Sequence, residues 1–216
     1  MLHFIGHQAE KSIAEYCRNL TKEIALNFRV KNLGDYLPAH LTFFPPFNLG
    51  ESDVEEITQE FGKFSKTISP VKLTINGFGH FNARTIFLSV EMSSEIKSLV
   101  QKIINFGRDL GLQAVPAGPK LHLHISIARF LDREQFEKIW DFLEKKPKPS
   151  IVSELDNITI FQKADREWEP TEIFYFDWFM KKDWSLDQAI LPKEFLINVK
   201  SELSVHHPDF SILIRK

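Results

Sequence analysis

The sequence predicts an α+β chain built from two similar halves, and three observations predict it. The order helix, strand, helix, hairpin is read twice along the chain. The spacings repeat with the order: His40 precedes Val71 by 31 residues, His124 precedes Glu154 by 30, and the two histidines are 84 apart. Finally, 216 residues with 43% hydrophobic and 26% charged side chains suffice for the core of one domain or two small lobes.

The elements follow from local pattern. Residues 2–5 form a short apolar strand, and residues 9–26 carry helical spacing with good helix formers until turn-forming residues at 31–38 break it. Residues 40–44 are extended and are stopped by Pro45 and Pro46. Ser52 and Glu55, in capping-box spacing, start a helix that runs to about Phe64. Residues 71–78 and 85–90 alternate as two strands around a turn at 79–83.

In the second half, a helix over 94–110 ends at Gly111. A linker with Pro116, Gly118 and Pro119 leads to an alternating strand at 121–129. Asp132 and Gln135 mark a helix to Leu143, Pro147 and Pro149 end it, and 155–161 with 173–178 form a second hairpin. Residues 184–216 stand outside the repeat, with a helix expected at 192–203 and a strand at 210–214.

Composition excludes several classes of function. Lysine and arginine total 27 against 29 aspartate and glutamate, a net charge of -2, so the chain lacks the excess cation that drives extended duplex binding. A nucleic-acid ligand should therefore be small or locally bound. The single Cys17 lies on an apolar helical stripe with Ile13, Leu20 and Ile24 and reads as core. No basic segment followed by an apolar run opens the sequence, and its longest apolar stretch, 173–180, is too short and polar to span a bilayer. A cytoplasmic protein without membrane contact is expected. Of twenty phenylalanines, most should be core.

Alternate residues of a strand share a face, so His40, Thr42 and Phe44 point one way, as do His122, His124, Ser126 and Ala128. Each half thus presents a histidine followed by a hydroxyl. With eight His and 23 Ser and Thr, roughly one H-x-[ST] match is expected by chance against two found, and both fall on the corresponding strand of each half. Two imidazoles facing one another suit phosphoester cleavage: one takes a proton from the attacking oxygen, and the other protonates the departing one. The hydroxyls then hydrogen-bond the non-bridging oxygens, and no metal or other cofactor is required.

The segments Pro38-Ala39-His40-Leu41-Thr42-Phe43 and Leu121-His122-Leu123-His124-Ile125-Ser126-Ile127-Ala128-Arg129 resemble the motifs of the two-histidine phosphoesterase superfamily, in its 2′-5′ RNA ligase-like, cyclic phosphodiesterase branch. The resemblance implies a bilobed, pseudo-twofold arrangement of two antiparallel sheets lining a central cleft, with helices outside. It covers residues 1–180, leaving 181–216 as an extension packed on that domain. It implies hydrolysis of 2′,3′-cyclic phosphates or other 2′-linked esters of RNA ends or small nucleotides, with 2′-5′ RNA ligation in some members. The family pattern maps onto His40, Thr42, His124 and Ser126, with His40 taken as acid and His124 as base. A monomer acting in RNA processing is expected.

Phe44, Phe81, Arg84 and His122 are the substrate-binding candidates, the aromatic rings to flank a base and Arg84 to meet a phosphate. Two other readings compete. His122 and His124 with His40 or His80 would make a metal hydrolase, and a cleft without turnover would make an RNA or nucleotide-binding module. Gly77, Gly79 and His80 read as a hairpin rather than a phosphate loop, Lys145, Lys146 and Lys148 as a solvated helix end, and His206 and His207 as surface.

Overall fold

Eight strands form two four-stranded antiparallel sheets in the computed structural model, which describes residues 1–112 and 122–177. All of these belong to one compact unit, Met1–Met180. In chain order the elements are β1 (Leu2–Gln8), α1 (Lys11–Phe28), β2 (His40–Asn48), α2 (Glu51–Ser65), β3 (Val71–Phe81) and β4 (Thr85–Val90). Then follow α3 (Ser94–Asp109), β5 (His124–Ala128), α4 (Arg133–Glu144), β6 (Ser150–Leu155), β7 (Asn157–Ala164) and β8 (Glu167–Tyr175). The predicted linker at 113–121, the elements expected within 184–216, His206 and His207 lie outside the described residues.

One sheet has the order β2-β1-β7-β8 and the other β5-β4-β3-β6. The predicted repeat is present, and it is interlaced. The β3–β4 hairpin of the first half carries β5 of the second, while β7 and β8 of the second half join β1 and β2 of the first. Each histidine strand is thus the edge of a sheet whose inner strands come partly or wholly from the other half. The order of elements fits the prediction with one addition: β6 precedes the second hairpin and pairs with β3, Lys72 opposite Glu154.

The helices bury their periodic faces. On α1, Ile13, Cys17, Leu20 and Ile24 are all buried, the stripe expected from spacing, and burial pushes the Cys17 thiol up to about 12. The Asp132 and Gln135 capping box forms as expected, with Gln135 N–H donating to Asp132 at 2.8 Å and Asp132 N–H to Gln135 at 3.1 Å. The α2 start differs. Its N-cap is Gly50, whose N–H donates to Asp53 Oδ2 at 3.3 Å, so Ser52 already lies inside the helix.

Several strands outrun their predicted ends. Strand β2 continues through Pro45 and Pro46 to Asn48, because it is an edge strand and an irregularity falls where Ile5 faces Phe44 but His3 faces Phe47. Missing N–H groups cost least there. The first hairpin turn narrows to residues 82–84, with Asn82 and Ala83 at positive φ and Arg84 N–H donating to Phe81 O at 3.0 Å. Gly79 and His80 therefore belong to β3. Strand β8 begins at Glu167, six residues before the predicted strand.

Candidate active site

His40 opens β2 and His124 opens β5, each at the edge of its sheet, and both are partly buried. Thr42 pairs with Gly6 and Ser126 with Phe87. Just beyond each hydroxyl residue the register slips by one. Ile5 faces Phe44 where Gly6 faced Thr42, and Ile86 faces Ala128 where Phe87 faced Ser126. The same bulge follows the same motif in both halves. It turns Phe44 and Ala128 off the histidine face and into the core, where they are 0% and 3% exposed.

Phe44 therefore does not flank a substrate, contrary to the expectation from simple alternation. Its ring packs on Gly107 of α3, where an added Cβ would overlap it. Of the other candidates, Phe81 and His122 gather at His124 and Arg84 does not. Phe81 is 39% exposed and presents its ring to His124 at 4.9 Å, nearly perpendicular. His122 is exposed, 6.2 Å from His124 between ring centroids. Arg84, at the hairpin tip, lines a separate depression with Phe130 and Phe136. His80 packs edge-on against Phe136 and Trp140 of α4 at 5.0 and 4.9 Å, which takes it out of a histidine cluster with His122 and His124. No group of three metal-ligating side chains gathers among the described residues.

The two catalytic candidates are held alike. Nδ1 of His40 lies 2.7 Å from Pro38 O, and Nδ1 of His124 lies 3.0 Å from His122 O. A carbonyl only accepts, so each Nδ1 carries the proton and donates, which leaves Nε2 as the group free to exchange one. His3 makes the same local contact to Met1 O at 3.1 Å, but its ring is buried. The pair is distinguished by its openness and by the hydroxyl two residues on. Neither Thr42 nor Ser126 spends its hydroxyl on a hydrogen bond among the described residues.

Electrostatics ties the two strands together. Burial against Phe4 and Phe161, at 4.6 and 5.5 Å, lowers the His40 pKa to about 4, and the charges of His124 and Arg129 contribute to that lowering. His124 is lowered too, first by burial and then by His122 and Arg129. Arg129, exposed at the end of β5, thus acts on both imidazoles and also on the Tyr36 hydroxyl. It belongs to the second motif in the sequence, yet its reach to His40 depends on how the two sheets meet.

A model of the 2′-5′ RNA ligase superfamily matches residues 12–167. The chain belongs to that superfamily. Two curated proteins named "Putative phosphoesterase", from Bacillus pumilus (strain SAFR-032) and Bacillus licheniformis, are 29% and 28% identical over 86 residues. Those residues are 38% of this chain and about half the length of each relative. Among solved structures, TT0787 of Thermus thermophilus aligns with TM-score 0.54 at 12% identity, over 82% of this chain and 98% of its own. Escherichia coli LigT complexed with 3′-AMP aligns with TM-score 0.54 at 13% identity, over 81% and 97%. These likenesses show the fold: two antiparallel four-stranded sheets with four described helices, as predicted.

Within this superfamily member a recess of about 270 Å³ opens beside Ser126, with Gln8, Arg18, Tyr36, Glu167 and Trp168 among its lining residues. The imidazoles do not line it, although Pro38 and Ala39, immediately before His40, do. Sequence reasoning missed Tyr36 and Trp168. Tyr36 stands in the turn before β2 and Trp168 at the unpredicted start of β8, so no periodicity marked either. No described helix is long and apolar enough to cross a membrane.

Proposed function

We propose that the chain is a phosphodiesterase acting on 2′,3′-cyclic phosphates or 2′-linked esters at RNA ends or on small nucleotides, with His40 as base and His124 as acid. The observation that carries this reading is the matched pair of Nδ1-anchored histidines, each followed by an unengaged hydroxyl, on equivalent edge strands. The roles reverse those expected from the motif alone. His40 is the more enclosed ring and the more strongly held neutral, which suits a proton acceptor; His124 keeps one side toward the exposed His122 and the half-open Phe81.

The step balances without a metal. Nε2 of His40 takes a proton from water as its oxygen attacks phosphorus, the P–O3′ bond breaks, and O3′ takes the proton from Nε2 of His124, leaving a 2′-phosphate. The Thr42 and Ser126 hydroxyls and the Arg129 guanidinium bind the non-bridging oxygens as charge builds. A 5′-hydroxyl in place of water turns the same step into 2′-5′ ligation. Within the fold, residues 1–180 carry this chemistry; the expected extension at 181–216 lies outside the described residues.

The test is turnover of a panel of 2′,3′-cyclic nucleotides and 2′-5′ dinucleotides by the full chain, with and without chelator. Products resolved as 2′- rather than 3′-phosphates, at a rate indifferent to chelator, are expected. Loss of all turnover with chelator would return the histidines to a metal hydrolase, and binding without any product would make the chain a nucleotide-binding module.

A further inference from the structure

We propose that the recess beside Ser126 is a nucleobase subsite, in which the base next to the reacting phosphate lies against Trp168 and Tyr36 and meets the Gln8 side chain at its edge. This rests on the phosphodiesterase reading and assigns the residues of this chain that would recognise the base of such a substrate.

Size, walls and polar lining support it. At about 270 Å³ the recess stands at the lower end of ordinary ligand pockets, about 300 to 1,000 Å³, so it holds one nucleoside-sized group and no longer strand. Its aromatic wall is fixed: the backbone N–H of Trp168 donates to the backbone carbonyl of Tyr36 at 3.0 Å, and the indole meets Phe4 edge-on at 4.8 Å. Phe4 in turn lies 4.6 Å from the His40 ring, so the wall continues to the reaction centre. Ser126, proposed to hold a phosphate oxygen, lines the same recess, which puts the phosphate and the base of one nucleotide within a single reach.

Gln8 supplies the third observation. Its backbone N–H donates to Asn157 Oδ1 at 3.0 Å and its carbonyl accepts from Asn157 Nδ2 at 3.1 Å, which pins the residue at the end of β1 opposite His40. Its side-chain Oε1, by contrast, is buried and has no partner among the described residues. An acceptor left so has given up its water without a replacement donor. The amino or imino N–H of a base edge satisfies it, while a bare phosphate or sugar hydroxyl, held at Ser126, does not need the aromatic wall. Arg18, exposed on α1 at the rim, adds a cation on the solvent side.

Calorimetric titration of the full chain with a nucleoside 2′-monophosphate and with ribose 2-phosphate tests the subsite independently of turnover. The native protein is expected to prefer the nucleotide by about tenfold or more, the usual worth of one base stack. Trp168→Leu is expected to bring that ratio close to one by weakening the nucleotide alone, Gln8→Ala to lower it, and Trp168→Phe, which keeps an aromatic face, to retain most of it. A native ratio near one, an unchanged ratio in Trp168→Leu, or equal weakening of both ligands would overturn the proposal. If cyclic nucleotides are hydrolysed but the ratio is near one, the subsite fails and the activity stands; if the ratio behaves as expected without turnover, the activity fails and the subsite stands.

Discussion

Phe161 and Phe81 occupy the same place in the two sheets, one row beyond the hydroxyl residue: Phe161 on β7 faces Phe4, and Phe81 on β3 faces Thr85. Each reaches the histidine of its sheet, at 5.5 and 4.9 Å. Yet Phe161 is fully buried and Phe81 is 39% exposed. On the Phe161 side, Leu33, Leu37, Tyr36 and Trp168 close over Phe4 as a small separate core, whereas the described residues leave the Phe81 side half-open. A pseudo-symmetric fold thereby gives its two imidazoles unlike environments, which is what unlike roles require.

The pH dependence of turnover should show this. On the proposed roles, activity needs His40 neutral and His124 protonated, and burial lowers both pKa values from 6.5, that of His40 to about 4. Activity rises as His40 loses its proton and falls as His124 loses its own. A bell in kcat/KM with its maximum between about 4 and 6.5 is expected. A maximum above pH 7.5 would contradict the assigned environments.

Arg129 should matter without touching the fold. Arg129→Met removes an exposed charge that lowers both histidine pKa values, so the bell should move to higher pH. Affinity for inorganic phosphate should fall about tenfold, one charge-assisted contact. Titration calorimetry and a pH profile check both.

Gly79 leaves the space that the Phe87 ring fills beneath His124. A Cβ there would overlap that ring and Ser89 Oγ, so Gly79→Ala should cost about 1 to 3 kcal/mol of stability and displace His124. Denaturant unfolding with parallel kinetics should find both effects together.

His7, 1% exposed, has no hydrogen-bond partner at either ring nitrogen among the described residues, and Asp156 Oδ1 lies 3.8 Å from Nδ1. Burial holds its pKa down at about 4. The unfolded chain therefore binds the extra proton first, and stability is lost as pH falls from 6.5 toward 4, by about 3 kcal/mol in total. His7→Leu should remove that share of the slope in urea melts taken across the range, leaving the comparable share of His40.

The element order, the α4 capping box and the two histidine strands are legible in the sequence because each rests on local pattern. Phe44 is misplaced by strict alternation, which cannot foresee a bulge that only pairing with β1 defines. Strand β6 is hidden between Pro149 and a run of mixed polarity, and it is made a strand by pairing with β3. Arg129 is visible as a motif residue, but its action on His40, like the recess between Tyr36, Ser126 and Trp168, arises from segments far apart in the chain.

The most direct test is steady-state hydrolysis of a 2′,3′-cyclic nucleotide by His40→Ala and His124→Ala, with thermal unfolding measured alongside. Each variant should lose turnover by about 10²- to 10⁴-fold, the worth of one proton-transfer group, while melting like the native protein. Turnover within a few-fold of native in either folded variant would contradict the paired-histidine mechanism.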